Sequence, residues 1–150
     1  MSKRAITVLV ADDEPLARRR LVRLLEADPD VRIADQCGSG DEVVRALKEH
    51  RPDAVFLDVR MPGLNGFEAL AELPADELPH VVFVTAYDEY AVRAFEVEAV
   101  DYVVKPVEAE RLEVAVRRLR SRLDESEEPS GLGDLVRSLQ EVVRRPDDGP

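Results

Sequence analysis

What this sequence lacks narrows its reading before any motif is considered. One cysteine in 150 residues, Cys37, excludes an internal disulfide. Its place near the end of the apolar run VRIADQC suits a small buried hydrophobe better than a reactive thiol. Long apolar runs are missing too: the stretch in MSKRAITVLV is short and meets acids at once, so it reads as neither a signal peptide nor a membrane span. A cytoplasmic protein is expected. Positive charge is in deficit, with 21 Lys and Arg against 32 Asp and Glu and a net charge of -11. That balance argues against nonspecific binding to nucleic-acid phosphates and against anionic membranes. The two histidines, His50 and His80, have no evident partner and read as surface residues. No internal repeat is visible. What remains is 45% hydrophobic and 35% charged, with 10 prolines and 7 glycines, the make-up of one globular domain with a real core and a tail.

Five short apolar runs rich in β-branched residues recur at 5–11, 31–37, 53–58, 80–86 and 100–105. The segments between them have helical spacing. In PLARRRLVRLLEAD, Pro15 suits a first helical turn and Ala17, Leu21, Leu24 and Leu25 form a stripe. In GDEVVRALKEH, Val43, Val44 and Leu47 face inward, and the helix stops before Pro52. GFEALAEL and EYAVRAFEV read as weaker helices. The last, EAERLEVAVRRLRSRL, places Leu112, Val116, Leu119 and Leu123 on one face, with acids at its start and arginines towards its end. Alternating strand and helix predicts an α/β fold: a doubly wound, five-stranded parallel sheet with helices on both faces and strand order 2-1-3-4-5. After residue 123 the composition turns to DESEEPSGLG, a linker. A short amphipathic segment follows at 134–145, through Leu135, Leu139, Val142 and Val143. It is marginal as an isolated helix and is compatible with packing on the domain, pairing with another copy, or fraying.

Sheets of this kind bind ligands outside the carboxyl ends of their strands, where the strand order reverses. Those ends carry Asp12 and Asp13 on strand 1, Asp58 on strand 3, Thr85 on strand 4 and Lys105 on strand 5. Taken singly each has an ordinary role, as helix cap, turn residue or solvated lysine. Together they place three carboxylates, a hydroxyl and an amine on one rim, and chance would have to supply the same edge four times. Asp12, Asp13 and Glu14 stand side by side at the end of VLVADDE, and like charges so close call for a cation. A carboxylate cluster without histidine or cysteine suits a hard ion such as Mg²⁺. A carboxylate beside the ion can attack phosphorus, with Lys105 and Thr85 stabilising the transferred group.

VLVADDEP, FLDVRMPGLNGFE, VVFVTAY and AVDYVVKP, in that order across residues 5–123, resemble the receiver domain of two-component response regulators, whose fold is flavodoxin-like. The strand order is the family's own, so it comes with the resemblance as much as with the alternation. The resemblance implies that Asp58 is the phosphoacceptor for a sensor histidine kinase, that Asp13 ligates Mg²⁺, and that Asp12 does so through water. It also implies that the backbone carbonyl of Arg60 is a further ligand, and that Thr85 and Lys105 contact the phosphoryl group. Tyr102 matches the aromatic switch residue, the Lys105–Pro106 bond is cis in the family, and Arg60 and Tyr87 occupy positions that tune dephosphorylation there. Glu14 matches no ligand and reads as the helix start. TAYDEYAVRAFEVEAVDYVVKP is similar, more narrowly, to receivers joined to LytTR-type DNA-binding domains. The expected layout is a receiver at 1–123 and a linker at 124–150, with no output domain, as in a truncated piece or a stand-alone receiver. Homodimerisation on phosphorylation through helix 4, strand 5 and helix 5 is expected, and DNA contact only through the missing domain.

Two other readings carry weight. A Mg²⁺-dependent phosphohydrolase would also use an aspartyl phosphate, but such enzymes of the haloacid-dehalogenase type place an acid two residues after the nucleophile, where this chain has Arg60. An interaction module independent of phosphorylation would leave Asp58 unlabelled. The receiver reading makes the chain no enzyme beyond its own phosphorylation and autodephosphorylation. GSG at 38–40 reads as a turn with Ser39 or Asp41 as cap.

Overall fold

The computed structural model describes residues 4–125; the segment expected at 134–145 lies outside them. The apolar runs form β1 (Ile6–Ala11), β2 (Val31–Cys37), β3 (Ala54–Leu57), β4 (His80–Thr85) and β5 (Asp101–Val104). Helices α1 (Pro15–Glu26), α2 (Gly40–His50), α3 (Gly66–Ala71), α4 (Ala91–Glu96) and α5 (Ala109–Glu125) alternate with them. The strands make one parallel sheet in the order β2-β1-β3-β4-β5, as alternation predicts. Period two divides the strands between two cores. Leu9, Ala11, Val55, Leu57, Val81 and Phe83 pack under α2, α3 and α4, while Ile6, Val8, Val10, Phe56, Val82 and Val84 pack under α1 and α5. Residues 8–10 and 54–57 are wholly enclosed, so the central strands cannot shift register without burying the wrong face.

Local chemistry sets the helix starts. Ser39 caps α2 by accepting the Glu42 amide, so the cap of GSG is Ser39. Asn65 and Glu68 form a reciprocal capping box at α3. Glu14 occupies the cap position of α1 in extended backbone, as a helix start should, but its side chain makes no cap bond. EYAVRAFEV, expected as one helix, divides into a 3-10 turn at Asp88–Tyr90 and the six-residue α4. No side chain caps either piece, and of α4 only Ala94 is buried. Val92 and Phe95, also on α4, stand 72% and 84% exposed. His50 corrects the expectation of a histidine without partner: its Nε2 lies 3.2 Å from Asp35 Oδ2, a contact between α2 and β2 that local spacing does not encode. No helix among the described residues is long and apolar enough to cross a membrane.

Candidate functional site

The parallel register brings the strand ends to one rim. Asp58 follows β3 directly, and its amide bonds the Ala11 carbonyl at 3.0 Å, while the Asp12 amide bonds the Cys37 carbonyl at 2.9 Å. The acids are therefore fixed by main-chain bonds continuing the ladder. Asp12 is further locked: its Oδ1 accepts the Glu14 amide at 2.9 Å in an Asx turn, and its carbonyl accepts Arg18 Nη1 at 2.8 Å. Asp12 and Asp58 are buried whereas Asp13 is exposed, and one carboxylate oxygen from each lies within 4.8 Å of the others.

Lys105, the residue after β5, supplies positive charge. Its ammonium sits 2.6 Å from Asp12 Oδ2 and 3.0 Å from Asp58 Oδ2, with Glu14 Oε1 at 3.9 Å. Burial pushes the Asp12 carboxyl above the usual carboxylate range, against the lowering effect of Lys105 and the Glu14 amide. Burial disfavours the charged lysine too, yet bonds to Asp12 and Asp58 outweigh it and raise the Lys105 pKa. The ammonium is thus held charged between two acids. The carboxylate excess around the triplet has its first counter-ion inside the chain, and Glu14 stands nearer that lysine than the role of helix start alone suggests.

Thr85 ends β4 and is fully buried; its Oγ1 accepts the Tyr87 amide at 3.4 Å, and its carbonyl accepts the Lys105 amide at 2.8 Å. Tyr102 lies on β5 beside Phe83, and its hydroxyl donates to the Tyr87 carbonyl. Arg60 enters the site by its backbone, its amide donating to Asp58 Oδ1 at 3.3 Å. Its guanidinium turns away, over the Tyr87 ring at 4.2 Å, with Nε donating to Tyr90 Oη at 3.0 Å. All seven residues singled out in the sequence lie at this end of the sheet. Arg18, on the Asp12 carbonyl, and Tyr90, bonded to Arg60, also belong to the site; neither stands at a strand end, so the strand-end pattern does not reveal them. The Lys105–Pro106 bond is cis.

The donor set fits a hard cation: three carboxylates, two of them buried, and no soft ligand among them. A doubly wound sheet with an acid cluster and a paired lysine at its switch point is the arrangement of a receiver fold, and the comparisons agree. Residues 8–117 match the response regulator receiver domain, and the chain belongs to that family. Among curated relatives, the transcriptional regulatory protein BtsR of Salmonella typhi is 46% identical over 115 residues, 77% of this chain and 48% of the relative. An uncharacterized response regulatory protein of Vibrio cholerae is 40% identical over 147 residues, 96% of this chain and 56% of its own length. The chain therefore spans about half the length of the curated relatives it matches. Among solved structures, the response regulatory domain of mrkE from Klebsiella pneumoniae aligns with a TM-score of 0.72 at 31% identity, covering 80% of this chain and 99% of that one. The receiver domain of AraT from Geobacillus stearothermophilus gives 0.73 at 26% identity, covering 83% and 99%.

Proposed function

We propose that this receiver is a phosphorylation-controlled switch: a sensor histidine kinase phosphorylates Asp58, and the surface of α4, β5 and α5 changes in response. The observation that carries this reading is the buried Asp58 carboxylate held by Lys105 beside Asp12 and Asp13. In the transfer, an Asp58 oxygen forms the new P–O bond as the bond from phosphorus to the donor's histidine nitrogen breaks, giving an acyl phosphate. Lys105 balances charge on the phosphoryl oxygens, and Thr85 offers them a hydroxyl. Asp13, Asp58, the Arg60 carbonyl and, through water, Asp12 would hold Mg²⁺, which when bound neutralises the same oxygens. Tyr102 reads the outcome, because its hydroxyl grips Tyr87, two residues beyond Thr85.

The layout that goes with this function is a receiver at 1–123 and a linker at 124–150, leading in a longer protein to a LytTR-type domain that contacts DNA. The greater length of the relatives and the description of BtsR as a transcriptional regulatory protein support an output domain, and its LytTR type rests on the sequence resemblance. Exposed Val92, Phe95 and Val104 offer the apolar surface a homodimer needs. A cytoplasmic location follows from the kinase partnership, and the chain turns over no external substrate. The phosphohydrolase alternative loses ground, since Arg60 holds the general acid's position and points its side chain at Tyr87 and Tyr90. Acetyl phosphate with Mg²⁺ should add one phosphoryl group by intact mass, and Asp58→Asn should abolish it. An unlabelled wild-type protein, or an equally labelled variant, would overturn the proposal.

A further inference from the structure

Lys105 stands at the start of a turn whose anchors are unequal. Before it, β5 is tied to β4 through the Thr85–Val104 register, and the Lys105 amide donates to the Thr85 carbonyl at 2.8 Å. After it comes Pro106, which has no N–H to give. The next fixed point is Val107, with its side chain buried in the core under α1 and α5. The Val107 carbonyl accepts two bonds from one guanidinium across 87 positions: Arg20 Nη2 at 2.7 Å and Nε at 3.2 Å. Arg20 belongs to α1, the helix that grows directly from the acids of the rim.

We propose that Arg20 is a positioning residue for phosphoryl transfer, fixing the turn that carries the Lys105 ammonium to Asp58. The planar guanidinium is suited to the task, because two donors in a rigid fork fix the carbonyl in direction as well as distance. A lysine at the same place offers a single flexible point charge. The inference rests on Asp58 being the phosphoacceptor, and the test separates the two.

The experiment follows Asp58 labelling by acetyl phosphate and Mg²⁺ in the full chain, as rate against donor concentration, for wild type, Arg20→Ala, Arg20→Lys, Lys105→Ala and the Arg20→Ala/Lys105→Ala double variant. Loss of the clamp should slow labelling at saturating donor by on the order of tenfold or more, as displaced catalytic groups do. Arg20→Lys should recover only part of that. In the Lys105→Ala background, removing Arg20 should change the rate no further, the non-additivity expected of two residues acting as a unit. Urea unfolding of each variant measures stability separately. A wild-type rate in Arg20→Ala, or equal slowing with and without Lys105, would overturn the positioning role. An unlabelled wild-type protein would instead sink the phosphoacceptor reading beneath it.

Discussion

At the scale of single residues, the rim is a contest between burial and charge. Asp12 and Asp58 share one ammonium, and Asp13, exposed beside them, adds a third negative charge. A divalent cation there would bind the folded chain alone, so Mg²⁺ at ten times its dissociation constant should add about 1.4 kcal/mol to stability by mass action. Asp13→Asn should erase most of that gain in a thermal melt with and without the ion, while Glu14→Gln should leave most of it. Cys37 is the opposite case, a group without chemistry. Burial, reinforced by nearby Asp35 and Glu42, pushes its thiol up to about 12, so at pH 8 almost no thiolate forms. Iodoacetamide should therefore leave the native protein unmodified and label it once denatured; rapid native labelling would show that the site opens.

At the scale of elements, β5 and α5 are joined by charge. Burial opposes ionisation of Asp101, but the Arg111 fork at 2.7 Å for both bonds, the Tyr102 amide and Arg118 together hold its carboxyl below the usual range. The folded pKa is depressed, so the stabilisation is present above the ordinary value of 3.8 and is lost as pH falls through the lowered one. Asp101→Asn should cost about 2 kcal/mol near neutrality, the worth of charged hydrogen bonds. Its deficit in urea unfolding should shrink below the ordinary carboxylate value; a deficit independent of pH would place the effect elsewhere.

Much at this scale was legible from periodicity. The five strands and α1, α2 and α5 have buried faces wide enough to impress a pattern on the chain. The α4 region did not, because one buried alanine leaves its other positions free of the core, and the split into a 3-10 turn and a short helix follows from geometry rather than from period. The site residues were legible because parallel register delivers strand ends to one edge, so position along a strand already implies position in space. The bond of His50 to Asp35, the stack of Arg60 on Tyr87 and the reach of Arg20 to Val107 were not legible. Each joins the tip of a long side chain to another element, and such pairs leave no periodic trace.

On the whole-molecule scale, exposed apolar side chains gather on α4 and at the end of β5, with Leu16 on α1 apart from them. Val92 and Phe95 on α4 and Val104 on β5 are exposed, and a second copy would remove them from water. Treatment with beryllofluoride and Mg²⁺ should double the mass seen by light scattering. Phe95→Glu should stay monomeric while Asp58 still accepts phosphate. A monomer in both would remove dimerisation from the proposed output without touching the chemistry.

The sheet order also divides the rim mechanically. Asp12 and Asp13 follow β1 and Asp58 follows β3, and each of those strands has a neighbour on both sides. Lys105 follows β5, a strand of four residues bonded only to β4. The acids therefore stand on the interior strands of the sheet and the lysine beside its open edge. Amides of β5 should exchange with solvent before those of β1 and β3, and a displacement that follows phosphorylation of Asp58 should appear at the open edge of the sheet rather than in its centre.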